Sequence, residues 1–372
     1  MESNEYISYL ERRRQKLIDG EINCIPTPFP ELEDYYPGIE QKTYYCVTAN
    51  TGIGKSQIMS FMFLFSPVIY AYENPGLIDL HIFYYALEEP EEDITSRFVS
   101  YLLFVKYNKR ISKKQLSSVT SPVSDDIMKI IRSEPIVDLL NFFNEHVEII
   151  CDHSECNPTG IYKTCKSFAK RHGKEIFKTR KTEVMEGVYE ERKRLVGFTP
   201  DNPNSYWLVI VDHIGLVPNE KSMDEYDNIK MLSKDYFIEL RNIYGFSPVV
   251  VAQQTFDENE EKGRGAGEPT MSGIADCKAI SRDFNIVLGL HSPYFFKKPT
   301  YKGYNINMLE DSFRSLIMLK GRDGGAGKTL PLYFDGCSTY FKTMPSPDNM
   351  AKIKEIYEYI KKIKKKRNPK AG

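Results

Sequence analysis

The chain has 372 residues, 41% hydrophobic and 27% charged, with 50 basic residues against 51 acidic ones. That length holds one large or two modest domains around a buried core, and the near-zero net charge restricts any nucleic-acid surface to a local patch. The amino terminus, Met1-Glu2-Ser3-Asn4-Glu5, is acidic and polar, unlike a secretory leader, and the apolar stretch Ile58 to Tyr72 is broken by Ser60, Ser66 and Pro67, so a cytoplasmic chain with no membrane span is expected.

In chain order, Glu5 to Ile18 carries Tyr6, Leu10 and Leu17 on one stripe and predicts a short charged helix stopped by Gly20. Cys24 to Pro37 is a proline-rich connector. Strand-like runs follow at Tyr44–Thr48, Leu80–Ala86, Val147–Cys151, Trp207–Asp212, Pro248–Gln253, Asn285–His291 and Ser315–Leu319. Their alternation with helical stretches predicts an α/β fold with a mostly parallel sheet. Ile229, Leu232, Tyr236, Leu240 and Ile243 recur at helical spacing, and Gly245 ends that helix. Two segments read as irregular: Lys178 to Ser205, charged and then rich in Pro and Asn, and Phe256 to Thr270, which contains Gly263-Arg264-Gly265-Ala266-Gly267. The chain closes on Lys361-Lys362-Ile363-Lys364-Lys365-Lys366-Arg367, which reads as a DNA-binding arm, a partner contact or a solvated terminus, with the last two together preferred.

The seven cysteines are scattered, as reduced thiols of a cytosolic protein would be. Cys151, His153, Cys156, Cys165 and His172 form no C-x-x-C pairing, and Cys151 ends an apolar run, so a zinc site is not expected there.

The strongest motif is Ala49-Asn50-Thr51-Gly52-Ile53-Gly54-Lys55-Ser56, a phosphate-binding loop whose first glycine is alanine. It follows a strand and opens a helix at Gln57, the context in which loop N–H groups and a helix N-terminus cradle phosphates. Lys55 then reaches the β- and γ-phosphates and the Ser56 hydroxyl takes Mg²⁺, so ATP and Mg²⁺ are the expected cofactors. Leu208-Val209-Ile210-Val211-Asp212 is an apolar strand ending in a carboxylate that can hold the metal through water. Phe83 to Ala86 ends in Leu87-Glu88-Glu89, where Glu88 comes first after the strand and suits activation of the attacking water. Val249 to Ala252 ends in Gln253-Gln254, amides suited to sensing the γ-phosphate. The next loop carries Lys262 and Arg264 among glycines, suited to a phosphate backbone. Lys320-Gly321-Arg322 puts two cations at i and i+2 off a strand end, as a reach toward a neighbour's triphosphate requires.

In this order the motifs resemble the RecA-like motor domain of DnaB-type replicative helicases, over about residues 5 to 345. That family's phosphate loop typically begins with alanine, as Ala49 does here. Ile25-Pro26-Thr27-Pro28-Phe29-Pro30-Glu31-Leu32 is similar to its "G-x-P-T-G-F-x-x-L-D" lead-in, and Ala86-Leu87-Glu88-Glu89-Pro90 to its "S-L-E-M-P", whose Glu is the catalytic base. Asp212-His213-Ile214 stands where "D-Y-L" follows the metal-supporting strand, Gln254 where the sensor glutamine lies, and Ser281 to Val287 looks like "E-Q-D-A-D-x-I". Lys320-Gly321-Arg322-Asp323-Gly324 resembles "K-x-R-N-G", with its trans-acting lysine and arginine finger.

The resemblance implies a RecA-like P-loop NTPase core, residues 37–345, with an insertion at about 178–205. A linker helix and connector, 1–36, would precede it and a basic tail, 346–372, would follow. It implies an ATP-dependent helicase acting in DNA replication, a ring of this chain (a hexamer) on single-stranded DNA, and a primase or helicase loader as a further partner of the family. The amino-terminal helical domain that commonly engages primase has no counterpart here, so those contacts are not carried over. Where the family has "R-E-S-G" in a DNA-contacting loop the chain reads Ala275-Asp276-Cys277-Lys278, which leaves Lys278, Lys262 and Arg264 as the candidate DNA contacts. Two other readings stay open: a RecA-like recombination or remodelling ATPase without unwinding, and a nucleotide-gated binding or scaffold module.

Overall fold

The structure is a computed structural model and describes residues 3–185, 188–255, 267–275, 280–322 and 324–367. Nine strands form one sheet: β1 Tyr45–Ala49, β2 Asp79–Ala86, β3 Val147–Ile150, β4 Ser205–Asp212, β5 Ser247–Gln253, β6 Ile286–His291, β7 Phe313–Lys320, β8 Thr329–Asp335 and β9 Tyr340–Thr343. Their order is β9-β8-β7-β6-β1-β5-β4-β2-β3. From β6 to β3 the neighbours are parallel, while β7, β8 and β9 extend the sheet antiparallel. The α/β fold with a mostly parallel sheet expected from the alternation of elements is therefore the fold observed.

Every residue of β4 is buried, as a parallel strand covered on both faces requires. Successive side chains enter opposite layers. Leu208 and Ile210 join Val47, Val249, Ile58 and Met62 on one face, while Trp207, Val209 and Val211 join Leu232, Phe237 and Leu240 on the other. Each such aliphatic side chain contributes about 1.5–3 kcal/mol on burial, so the central strands are held from both sides.

The helix after β1 runs through Lys55–Met59, Ser60–Phe65 and Ser66–Glu73, with its middle widened to i→i+5 turns. Pro67 supplies no N–H to the ladder, and the Ser66 amide and hydroxyl both donate to the Phe61 carbonyl, the hydroxyl at 2.6 Å. The helix expected over Ile229–Ile243 starts earlier, at Glu225, and ends where Gly245 takes φ +90°.

Three segments differ from the sequence reading. Lys178–Ser205 is not irregular: Gly173–Met185 and Val188–Pro200 pair antiparallel as a long hairpin, and β4 already begins at Ser205. The hairpin stands outside the main sheet and so carries no apolar period to betray it. Its base is anchored by Phe198 packed on Trp207 and Tyr244, and the Tyr244 hydroxyl donates to Glu175 at 2.5 Å. The basic tail contains a helix, Met350–Arg367, whose Ile353 and Ile360 are buried against Leu309, Phe313 and Tyr333. β8 and β9 escape the sequence reading, because alternating Leu330, Leu332 and Phe334 are masked by the prolines and glycines around them.

One buried histidine, His291, and one partly buried histidine, His81, tie this core to pH. Burial pushes His291 down to about 3 and His81 down to about 4, from an ordinary value of 6.5. Both are neutral when folded, whereas the unfolded chain takes up protons below 6.5, so stability is lost as pH falls from about 6.5 through 4 towards 3. The melting temperature should fall over that window. His291→Asn, which keeps a donor for the Gly267 carbonyl that Nδ1 now reaches at 2.8 Å, should flatten the decline. An unchanged slope would remove His291 from the cause.

Candidate active site

The loop Asn50–Gly54 leaves the carboxyl end of β1, which lies between β5 and β6 in the middle of the sheet. Crevices at the carboxyl ends of parallel strands are where α/β folds bind ligands. Ala49 and Asn50 are buried, Thr51 and Gly52 are exposed, and Ile53 turns inward at 1% exposure to pin the loop. Gly52 and Gly54 take φ +79° and +105°, left-handed values that a side chain would strain. Gly54 caps the helix that starts at Lys55, so Lys55, Ser56 and Gln57 form its first turn, where N–H groups have no partner within the helix. A helix end of this kind attracts anions.

Asp212, at the end of β4, is 1% exposed. Its Oδ1 accepts from the Ser56 hydroxyl at 3.1 Å and its Oδ2 from the Tyr84 hydroxyl at 2.8 Å. Burial raises its pKa; the Tyr84 bond lowers it, Glu88 raises it, and Arg97 and Lys55 lower it. Tyr84 is itself pushed well above its ordinary range by burial and by Asp212, so it remains a proton donor. A buried carboxylate beside a serine hydroxyl is a hard-oxygen pair of the kind Mg²⁺ takes, so the residues present fit the expected metal.

Immediately after Asp212 the chain turns through His213 at φ +85°, a conformation that costs a non-glycine residue about 1–3 kcal/mol and concentrates at functional sites. Ala86 is in register with Asp212, which puts Glu88 two residues past the end of the neighbouring strand. Glu88 is exposed and makes no hydrogen bond or ion pair among the described residues. Glu89 differs: its carboxylate pairs with Arg97 and, at 3.2 Å, with Lys113. Arg97 also donates to Ser60 Oγ at 3.2 Å, tying this turn to the helix behind the phosphate loop.

Gln254 is 6% exposed and fully engaged. Its Nε2 donates to Thr48 Oγ1 and to the Thr270 carbonyl, each at 3.0 Å, and its backbone N–H donates to the Ala49 carbonyl at 3.1 Å. It thus links the root of the phosphate loop to the segment that follows 256–266.

Lys320 and Arg322 lie elsewhere. β7 is antiparallel to β6, and Lys320 is in register with Val287, which is in register with Cys46 at the start of β1. They therefore leave the sheet at the edge opposite the phosphate loop. Lys320 Nζ donates to the Ser281 and Arg282 carbonyls at 3.3 and 3.1 Å, and burial lowers its pKa. Arg322 is exposed, near enough to Arg241 to help lower that group's pKa after burial. Lys262, Arg264 and Lys278 fall outside the described residues.

The structure thus brings together Ser56, Asp212 and the loop, adds Glu88 one strand away, and separates Lys320 and Arg322 from them. Sequence reasoning missed Tyr84, Arg97 and His213. Tyr84 sits in an apolar strand among other aromatics and gave no sign that its hydroxyl would meet Asp212.

No family model matches the sequence, and no curated protein does. Solved structures do match. A DnaB-like replicative helicase, described with its interactions with primase, superposes with TM-score 0.64 at 14% identity, over 92% of this chain and 69% of that one. A second structure, described as an ATPase domain, superposes with TM-score 0.61 at 15% identity, over 92% of this chain and 99% of that one. The chain has the RecA-like α/β fold of these two structures. Among the described residues no helix is long and apolar enough to cross a membrane.

The Tyr84–Asp212 contact has a measurable size. Tyr84→Phe leaves a buried acceptor short of a donor and should lower the unfolding free energy by about 1–3 kcal/mol. Combined with Asp212→Asn, the loss should be smaller than the sum of the two single losses. Additive losses in urea titrations would show that the two side chains do not act together.

Proposed function

We propose that the chain is an ATP-driven DNA helicase motor. It assembles as a ring, a hexamer, on single-stranded DNA in replication, with ATP held between subunits. The observation that carries this reading is the joining of the phosphate loop to the carboxyl end of β4 through Ser56 and Asp212, 3.1 Å apart. Loop and helix N–H groups together with Lys55 would hold the phosphates. Ser56 and Asp212 would hold Mg²⁺, which when bound neutralises charge on the β- and γ-phosphate oxygens. Glu88, unpaired among the described residues beside this pair, would orient the attacking water and accept its proton, and Glu89 is the poorer candidate because Arg97 and Lys113 already hold it. A cleft of about 580 Å³, bordered by Gly52, Gly54 and Gln57, has room beside the loop for the rest of a nucleotide.

The location of Lys320 and Arg322 at the far edge of the sheet favours a neighbour's triphosphate as their target, since their own phosphate loop is on the opposite edge. Gln254, bonded to Thr48 behind the loop and to Thr270 beyond it, is suited to relaying the state of the γ-phosphate to the segment carrying Lys262 and Arg264. Those two cations, with Lys278, are the proposed contacts to the DNA backbone. The fold likeness to a DnaB-like replicative helicase and to a second ATPase domain supports the reading.

The test is ATP turnover with and without single-stranded DNA, alongside strand displacement on a forked duplex. The reading predicts DNA-stimulated turnover and displacement, with Glu88→Gln binding ATP while losing at least about a hundredfold in turnover. Neutralising Lys262, Arg264 and Lys278 together should weaken single-strand binding and reduce its salt slope by about 2, three contacts at about 0.7 each. Turnover without displacement would make the chain a filament-forming or remodelling ATPase, and no turnover would make it a binding module.

A further inference from the structure

Arg314 is the largest of the fully buried side chains among the described residues, 1% exposed near the start of β7. Burial lowers its pKa, and the carboxylate it pairs with, Asp311, is itself 71% exposed. A guanidinium inside a sheet is a costly choice where an aliphatic residue would pack, so its contacts have to account for it. Nη1 donates to the Asp311 and Phe313 carbonyls at 2.8 and 2.9 Å, and Nη2 to Asp311 Oδ1 at 2.8 Å. These bonds lock the fork. The third nitrogen, Nε, reaches out of the strand and donates to the carbonyl of Ile53 in the phosphate loop at 2.7 Å. The guanidinium also lies 4.4 Å from the centre of the Phe334 ring. That ring stands 3.3 Å from where a side chain on Gly54 would begin.

In a trans peptide the carbonyl of one residue and the N–H of the next point in opposite directions across one plane. Holding the Ile53 carbonyl inward therefore turns the Gly54 N–H outward, toward the crevice. Phe334 supports the same peptide from the side, and its ring is in turn stacked on Phe341 at 4.7 Å. We propose that Arg314 is a positioning residue that holds the phosphate loop in its anion-accepting shape before nucleotide arrives, by fixing the Ile53–Gly54 peptide. The inference rests on the reading of this loop as the nucleotide site. No feature of the loop's own sequence implies it, because the grip comes from a strand some 260 residues away in the chain.

The experiment is titration of the full chain with Mg·ADP, together with steady-state ATP kinetics, for the wild type, Arg314→Met, Arg314→Lys and Asp311→Ala. Arg314→Met should raise the Kd for Mg·ADP and the KM for ATP about tenfold with kcat held within about threefold, since the loop's ground-state shape is what is lost. Arg314→Lys should fall between the two, because a single ammonium cannot serve the strand carbonyls and Ile53 together. A Kd equal to the wild type in a folded Arg314→Met variant would overturn the proposal. Should that variant fail to fold, Asp311→Ala decides: its side chain is exposed, and freeing one arm of the fork should raise Kd about threefold, whereas no change would overturn the proposal. A wild-type chain that binds no Mg·ADP would overturn the nucleotide reading itself, and this inference with it.

Discussion

Asp212 closes a strand that is buried along its whole length, and the arrangement of the site depends on how that carboxylate is satisfied. Its oxygens accept from hydroxyls on two other elements, Ser56 on the helix after β1 and Tyr84 on β2. Burying a charged group without partners is prohibitive, so these three elements are constrained to meet at one point. The position of the phosphate loop relative to β4 and β2 follows from that. So does the position of Glu88, which the same strand as Tyr84 carries two residues beyond the register partner of Asp212. Even with both hydroxyls the carboxylate stays perturbed by burial, and the field of Lys55 pulls it back toward its charged form. A divalent cation would complete that balance.

The second constraint is directional. Parallel strands deliver Ala49, Ala86, Asp212 and Gln253 to one edge of the sheet, and the turn to antiparallel pairing at β7 delivers Lys320 to the other. A chain built this way separates the groups proposed to hold phosphate from Lys320, which the same proposal pairs with them. In the proposed function, assembly of copies so that one edge faces the other would resolve this separation and would make turnover a property of an interface.

Much of this is legible in the sequence where periodicity or a motif reports it. The buried parallel strands announce themselves as unbroken apolar runs such as Leu208–Val211, and the glycines of the loop reflect a real need for positive φ at Gly52 and Gly54. What is illegible depends on partners distant in the chain. The hairpin Gly173–Met185 with Val188–Pro200 stands apart from the main sheet and lacks a sustained apolar alternation, so its charged residues look like a loop until the pairing is seen. The helix Met350–Arg367 shows its lysines first and its buried Ile353 and Ile360 only against Leu309 and Phe313. Tyr84 and Arg314 are ordinary letters in their strands, and only the fold brings one to Asp212 and the other to Ile53.

Completion of each nucleotide site by a neighbouring copy is tested most directly by mixing two inactive variants. Lys55→Ala subunits would lack phosphate binding but present an intact Arg322, and Arg322→Ala subunits would bind ATP but present no finger. Neither alone should hydrolyse ATP, while the mixture should recover a substantial fraction of wild-type turnover at the interfaces that join an intact loop to an intact arginine. A mixture that co-assembles and stays inactive, or an Arg322→Ala protein as active as the wild type, would contradict it.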